Sequence, residues 1–319
     1  MRRALSVGID EYSFGPLQGC VSDAERLTKL LSTHEDGSPN FDCRKLLAPP
    51  SAGINQITRA TLKQAAKELF RQPASIALFH FSGHGTVNDL DGYLVTQDAK
   101  AYDEGLAMSE LLKMANDSKV DEVVIFLDCC NSGNLGNPPA VDNRRAMLRE
   151  GISILTASRG DQPSVEVSGG GLFTSLVIDA LEGGAADALG HVSAPAIYAF
   201  VEAALGAWNQ RPLFKSHVAR VVSLRTCQAP VELSILRELP VLFKVPAEDL
   251  PLAPEYEHTS QKPDSEKVEL FHKILLLSRI HLVVPVGAPS LYDAAIQSKA
   301  CRLTASGRYY WRLATDKRI

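Results

Sequence analysis

The sequence predicts an α/β protein with a mainly parallel sheet covered by helices on both faces, and three observations support that class. Apolar runs of strand length alternate along the chain with segments of helical periodicity. Two of the runs, Ile76 to Phe81 and Val123 to Leu127, are nearly continuous in Val, Ile, Leu and Phe, as strands buried on both faces are. Both stop abruptly in small polar residues, Ser82-Gly83-His84-Gly85 and Asp128-Cys129-Cys130-Asn131-Ser132-Gly133, and chemistry in open parallel sheets collects just past such carboxyl ends.

In chain order, Ala4 to Ile9 reads as the first strand, Ser22 to Thr33 as a helix, Arg44 to Leu47 as a short strand and Ile54 to Phe70 as a helix. The histidine-bearing strand follows, then a helix near Met108 to Met114, the cysteine-bearing strand, and a strand over Ile152 to Ala157. Helices over Phe173 to Leu181 and Ala194 to Leu205 and a last strand over Ala219 to Leu224 complete this region. Past Cys227 the texture changes, with Pro230, Pro240, Pro246, Pro251, Pro254 and Pro263 close together, which reads as an extended linker. The expected division is therefore a main domain over 1–227, a proline-rich linker over 228–263 and a small α+β domain over 264–319. In the last of these, Leu270 to Leu277 and Leu291 to Gln297 look helical and His281 to Val286 looks like a strand. Leu303 to Trp311 is similar to the last strands of a winged helix.

The 319 residues suit one mid-sized unit with an appendage, 45% hydrophobic with 22% charged residues is ordinary for a soluble globular protein, and no apolar run approaches the roughly 20 residues of a membrane span. A net charge of −4 gives no global attraction to nucleic acid or anionic lipid. Six cysteines, two adjacent and the rest scattered in apolar segments, do not form a secreted disulfide pattern. Met1-Arg2-Arg3 runs into an apolar stretch too short for a signal peptide core, so a cytoplasmic location is expected, without membrane partners.

One strand delivers a histidine to the sheet edge and the other a cysteine. A thiol needs a base to become a nucleophilic thiolate, and imidazole titrates near neutrality, so the pair points to a Cys-His hydrolase. His84 lies between two glycines in a sharp turn, while His80 falls within the strand and reads as a core histidine. A zinc site from His80, His84, Cys129 and Cys130 is disfavoured, because adjacent cysteines chelate one ion poorly and the histidines are not on a helix.

Together the two junctions resemble the FSGHG and D-x-C-x-S-G motifs of the caspase and metacaspase superfamily, peptidase C14 type. Within it the resemblance is to the metacaspase-like branch and to prokaryotic caspase-like members, and it covers roughly residues 1 to 225. It implies a three-layer caspase-like fold with a six-stranded, mainly parallel sheet, and a cysteine endopeptidase. The family pattern puts an aspartate two positions before the nucleophile, so Asp128 selects Cys130, with His84 as its partner and the backbone N–H groups of Gly85 and Cys130 as oxyanion donors. Leu17-Gln18-Gly19-Cys20-Val21-Ser22-Asp23-Ala24 resembles the family segment after the first strand. By that resemblance Cys20, Asp23, Ser82 and Asp128 line the pocket for the side chain before the scissile bond (P1). Two carboxylates there favour arginine or lysine. Read without the resemblance, Ser22 to Glu25 is a helix capping box, which accounts for Asp23 alone.

No cofactor is required by this reading, although family members take calcium through aspartates, and Asp89, Asp91 and Asp98 follow the histidine loop. The expected partner is a protein substrate in a stress, defence or cell-death pathway, such as a gasdermin-like or other effector, with a regulatory partner for the C-terminal domain. Nucleic acid is disfavoured there: six basic residues and one acid stand in 299–319, but the neighbouring aromatics suit a small core. Relatives are cut between the nucleophile loop and the next strand, where Arg144, Arg145 and Arg149 are candidate self-cleavage positions. A catalytically silent adaptor with the same fold is the alternative reading.

Overall fold

Six strands at the centre of the chain's first compact unit bring three separate segments to one edge. The computed structural model describes residues 1–49, 56–89, 91–129, 147–157, 166–167, 170–205 and 212–319. The first unit comprises Met1–Ala186 with His191–Gln228. It runs β1 (Arg2–Ile9), α1 (Cys20–Leu31), β2 (Asp42–Ala48), α2 (Arg59–Arg71), β3 (Ile76–Ser82), β4 (Gly85–Val87), β5 (Gly92–Lys100), β6 (Asp103–Ala107), α3 (Met108–Asn116), β7 (Glu122–Asp128) and β8 (Ile152–Thr156). It continues with β9 (Glu166–Val167), β10 (Gly170–Gly171), α4 (Leu172–Asp179), β11 (His191–Ser193), α5 (Ala194–Leu205), β12 (Leu213–His217) and β13 (Ser223–Thr226).

The main sheet has the order β12-β8-β7-β3-β1-β2, all parallel except β12, which runs antiparallel to β8. β3, β7 and β8 are buried along their whole length, which is why their sequences lack polar alternation. One apolar layer packs α2 and α3 against the sheet through Leu62, Ala66, Phe70, Leu111 and Phe79. The other gathers α1, α4 and α5 through Leu27, Leu31, Phe126, Phe173, Val177 and Val201. Each fully buried large side chain in these layers contributes roughly 1.5–3 kcal/mol. In register, Gly8 pairs with Ser82 and Ser82 with Asp128, so three strands end side by side.

Several expectations need correction. The sixth strand of the sheet is β12, whereas the strand expected over 219–224 is displaced to β13, which pairs with β11 in a separate ribbon. The segment after His84 forms an antiparallel sheet, β4-β5-β6, that the sequence reading passed over. α1 begins at Cys20, so Ser22 does not cap it; the carboxylate of Asp10, at the end of β1, accepts from the N–H groups of Cys20 and Val21 instead.

The second unit comprises Asp187–Gly190 with Ala229–Ile319. Its elements are α6 (Leu233–Arg237), α7 (Leu239–Leu242), β14 (Leu250–Pro251), α8 (Ser265–Arg279), β15 (Val283–Val286), α9 (Leu291–Ile296), β16 (Ala300–Leu303) and α10 (Ala305–Thr315), with an antiparallel sheet β14-β16-β15. The stretch expected as an extended linker is part of this unit: Leu236, Leu239, Phe243 and Leu252 share a core with Phe271, Ile274 and Leu277. Its prolines are compatible with structure because Pro240 sits in the first turn of α7, where no helical N–H bond is lost. The winged-helix strands expected over 303–311 are absent, since α10 starts at Ala305 under a Thr304 cap that accepts from the Gly307 N–H. Among the described residues no helix is long and apolar enough to cross a membrane.

Candidate functional site

His84 leaves the end of β3 in a turn that fixes both its backbone and its ring. The backbone N–H donates to the hydroxyl of Tyr12 at 3.1 Å, and that hydroxyl donates in turn to the carbonyl of Val95. The ring Nε2 lies 2.7 Å from the carbonyl of Gly15. A carbonyl only accepts, so Nε2 carries the proton in the neutral ring and Nδ1 is left as the acceptor. Tyr12 and Phe14 pack on the imidazole at centroid distances of 4.7 and 5.8 Å. The preceding Gly83 has no room for a side chain, because a Cβ would come within 2.6 Å of the Tyr12 hydroxyl. Gly85 follows as the first residue of β4.

Cys20, Asp23, Ser82 and Asp128 are brought together, from the first turns of α1 and the ends of β3 and β7. All four are buried. The Ser82 hydroxyl donates to Asp23 Oδ2 at 3.3 Å, and the Gly171 N–H donates to the same oxygen at 2.8 Å. Asp128 Oδ2 accepts from the backbone N–H and the hydroxyl of Thr174, at 3.1 and 2.8 Å. Gly171 separates the two acids so closely that a Cβ on it would stand 2.0 Å from Asp128 Oδ2 and 3.1 Å from Asp23 Oδ2. Burial first, and the charge of Asp128 second, push the Asp23 carboxyl up to about 7, against the Gly171 N–H, Arg26 and Ser82. Asp23 Oδ1 is buried without a hydrogen bond, and Arg26 comes only to 3.9 Å. Burial also drives the Cys20 thiol far up, so it is a neutral neighbour at neutral pH.

Cys130, Arg144 and Arg145 lie outside the described residues. Cys129 is buried in the same apolar cluster as Phe79 and Leu127. Arg149 is bound in place: its guanidinium donates to the carbonyls of Ala115 and Val120 and to the hydroxyl of Ser118, and its backbone N–H to Asn116. Asp91 accepts from the N–H and hydroxyl of Ser109 at the start of α3, and Asp98 from the N–H of Arg59 at the start of α2. Both carboxylates therefore serve helix starts, and among the described residues no group of three or more His, Cys, Asp or Glu is arranged to hold a metal ion. The positions that sequence reasoning missed are Asp10, Tyr12 and Gly15. No motif marks them, and only the crossing of the segment after β1 over the His84 turn gives them a place. Gly171 and Thr174, from the short stretch leading into α4, touch the two acids directly.

A profile of the peptidase C14 caspase domain matches residues 1–223. Among solved structures, caspase-1 of Spodoptera frugiperda is 16% identical with a TM-score of 0.50, covering 72% of this chain and 91% of that one. A protein of Geobacter sulfurreducens, known from its crystal structure, is 18% identical with a TM-score of 0.49, over 69% of this chain and 94% of that one. No curated protein sequence matches the chain. The likeness to caspase-1 speaks for the fold: the three-layer arrangement around a six-stranded, mainly parallel sheet is the caspase one.

Proposed function

The chain belongs to the caspase domain family, and on that premise we propose that it is a cysteine endopeptidase that cuts after arginine or lysine, with Cys130 as nucleophile and His84 as base. The observation that carries the specificity is the buried pair Asp23 and Asp128, held on either side of Gly171 and supported by Ser82 and Thr174. Two enclosed carboxylates repel one another, and a guanidinium or ammonium relieves that repulsion while supplying the donor that Asp23 Oδ1 lacks. A P1 aspartate would add a third negative charge.

In this reading the Cys130 thiol gives its proton to His84 Nδ1, the acceptor left when Nε2–H is held by the Gly15 carbonyl. The thiolate attacks the scissile carbonyl, and the oxyanion is met by the backbone N–H groups of Gly85 and Cys130. The imidazolium returns the proton to the leaving amine, and water hydrolyses the thioester in a second round through the same base. The substrate is a protein, and self-processing is assigned to Arg144 or Arg145 rather than Arg149, whose side chain already serves the end of α3. A role in a stress, defence or cell-death pathway follows from the family resemblance alone.

A fluorogenic panel with Arg, Lys or Asp at P1, run on wild type, Cys130→Ala and His84→Ala, tests the proposal. Cleavage after Arg and Lys, lost equally in both variants, is expected, since members of one catalytic unit fail together. Efficient cleavage after Asp would sink the pocket assignment, and retained activity in Cys130→Ala would sink the nucleophile.

A further inference from the structure

Behind the acid pair runs a buried file of polar side chains that the reaction does not consume. Thr174, in the first turn of α4, has its hydroxyl 2.8 Å from Asp128 Oδ2 and 3.3 Å from His80 Nε2. On the far side of the ring, His80 Nδ1 is 2.7 Å from the hydroxyl of Ser6. Ser6, His80 and Thr174 are 2%, 1% and 1% exposed, so water does not compete for these contacts. Chemistry fixes the direction of each bond. An ionised carboxylate has no proton to give, so the Thr174 hydroxyl donates to Asp128 and its oxygen is free to accept from His80 Nε2–H. A neutral ring protonated at Nε2 accepts at Nδ1, and the Ser6 hydroxyl donates there. Burial keeps the ring neutral, with its pKa pushed down to about 3.

We propose that Thr174 is a specificity-determining positioning residue, the last link of a directed relay from Ser6 through His80 to the Asp128 carboxylate, which it holds in place for a cationic P1 side chain. The inference rests on the Arg/Lys reading above. Three features separate it from plain core packing. Every dipole in the file points the same way, toward the acid. Two separate donors of Thr174 converge on one carboxylate oxygen. The same four-residue stretch also holds Asp23, through the Gly171 N–H, so it sets the positions of both acids at once.

The test compares kcat and KM on matched peptides with arginine or citrulline at P1, which have nearly the same shape and differ in charge, for wild type, Thr174→Val and Thr174→Ser. Loss of a hydrogen bond to a charged group predicts that Thr174→Val lowers the Arg:citrulline ratio in kcat/KM about tenfold or more, mainly through KM for the arginine peptide. Thr174→Ser, which keeps the hydroxyl, should restore most of it. A folded Thr174→Val with an unchanged ratio, or with both peptides lost alike, would overturn the proposal. Should Thr174→Val not fold, Ser6→Ala interrupts the relay two links away, and an unchanged ratio there counts equally against it. Nitrogen-15 shifts of the His80 ring in the wild type read the relay without any substrate: protonation at Nε2 supports it and protonation at Nδ1 overturns it. A wild type indifferent to arginine against citrulline overturns the pocket reading, and with it the specificity role, while the ring shifts still report whether the relay exists.

Discussion

Replacing Asp23 with asparagine should make the protein more stable in mildly alkaline solution while removing the preference for a cationic P1 residue proposed above. Asp23 is fully buried, with Oδ2 bonded to the Gly171 N–H and the Ser82 hydroxyl and Oδ1 bonded to nothing. The groups facing it are Asp128 from β7, Arg26 one turn along α1, Ser82 from β3 and the backbone of Gly171. Burial first, then the Asp128 charge, raise its pKa from 3.8 to about 7. Each tenfold in proton affinity is worth about 1.4 kcal/mol, so the rise amounts to about 4 kcal/mol as an upper figure. The native state holds this proton more tightly than the unfolded chain does. The resulting stability is therefore complete below the ordinary carboxyl pKa of 3.8 and lost as pH climbs to about 7. Asparagine carries no such loss, although an amide without a partner costs about 1–3 kcal/mol at every pH. Urea unfolding of both proteins from about pH 4.5 to about pH 8 should show the variant gaining on the wild type by several kcal/mol as pH rises, and levelling off above about pH 7. Over the same range the wild-type KM for an arginine substrate should fall as Asp23 ionises. Two parallel stability profiles would refute the reasoning, because they would mean that Asp23 is charged in the fold at acid pH.

Tyr12→Phe removes the acceptor for the His84 N–H and the donor to the Val95 carbonyl; it should cost about 1–3 kcal/mol in thermal or urea unfolding and lower kcat on any good P1 peptide. Gly171→Ala forces a Cβ against Asp128 Oδ2, so arginine peptides should lose kcat/KM sharply while a circular dichroism melt shows a folded protein; normal kinetics would show that the acids are not placed as described. Arg149→Ala takes the guanidinium donor from the Val120 carbonyl, while the Ala115 carbonyl keeps the N–H and hydroxyl of Ser118; it should destabilise the first unit by about 1–3 kcal/mol in urea and leave the proposed P1 preference of the folded enzyme unchanged.

The two central strands were legible because burial on both faces leaves an uninterrupted apolar signature, and His80 was separable from His84 by its place inside that run. The acid pair was legible only through family motifs. Nothing in local periodicity says that residues 23 and 128 approach the same glycine. Tyr12 and Gly15 were invisible because their roles depend on a carbonyl and a hydroxyl crossing another loop, and backbone acceptors leave no compositional trace. The proline-rich region misled because proline was counted without regard to position: Leu236, Leu239 and Leu242 already carried helical spacing, and Pro240 fell where a helix tolerates it. The aromatic run at 309–311 looked strand-like, yet in α10 it splits, with Tyr310 turned into the core, Trp311 Nε1 donating to the Phe243 carbonyl, and Tyr309 exposed.

The pairing of β7 with β8 has a consequence for how a nicked molecule would behave. These strands are adjacent and parallel over Val123–Leu127 and Ile152–Thr156 at the middle of one sheet, and the chain between them passes through Arg144 and Arg145. A cut in that connection leaves an amino-terminal piece contributing β7, β3, β1 and β2 and a carboxyl-terminal piece contributing β8 and β12. The two pieces would share a hydrogen-bonded seam and both apolar layers, so they would remain one particle in native mass spectrometry or gel filtration and come apart only in denaturant. Covalent continuity and folded integrity are thus separable properties of this protein, and an assay of size under native conditions would be blind to such a cut.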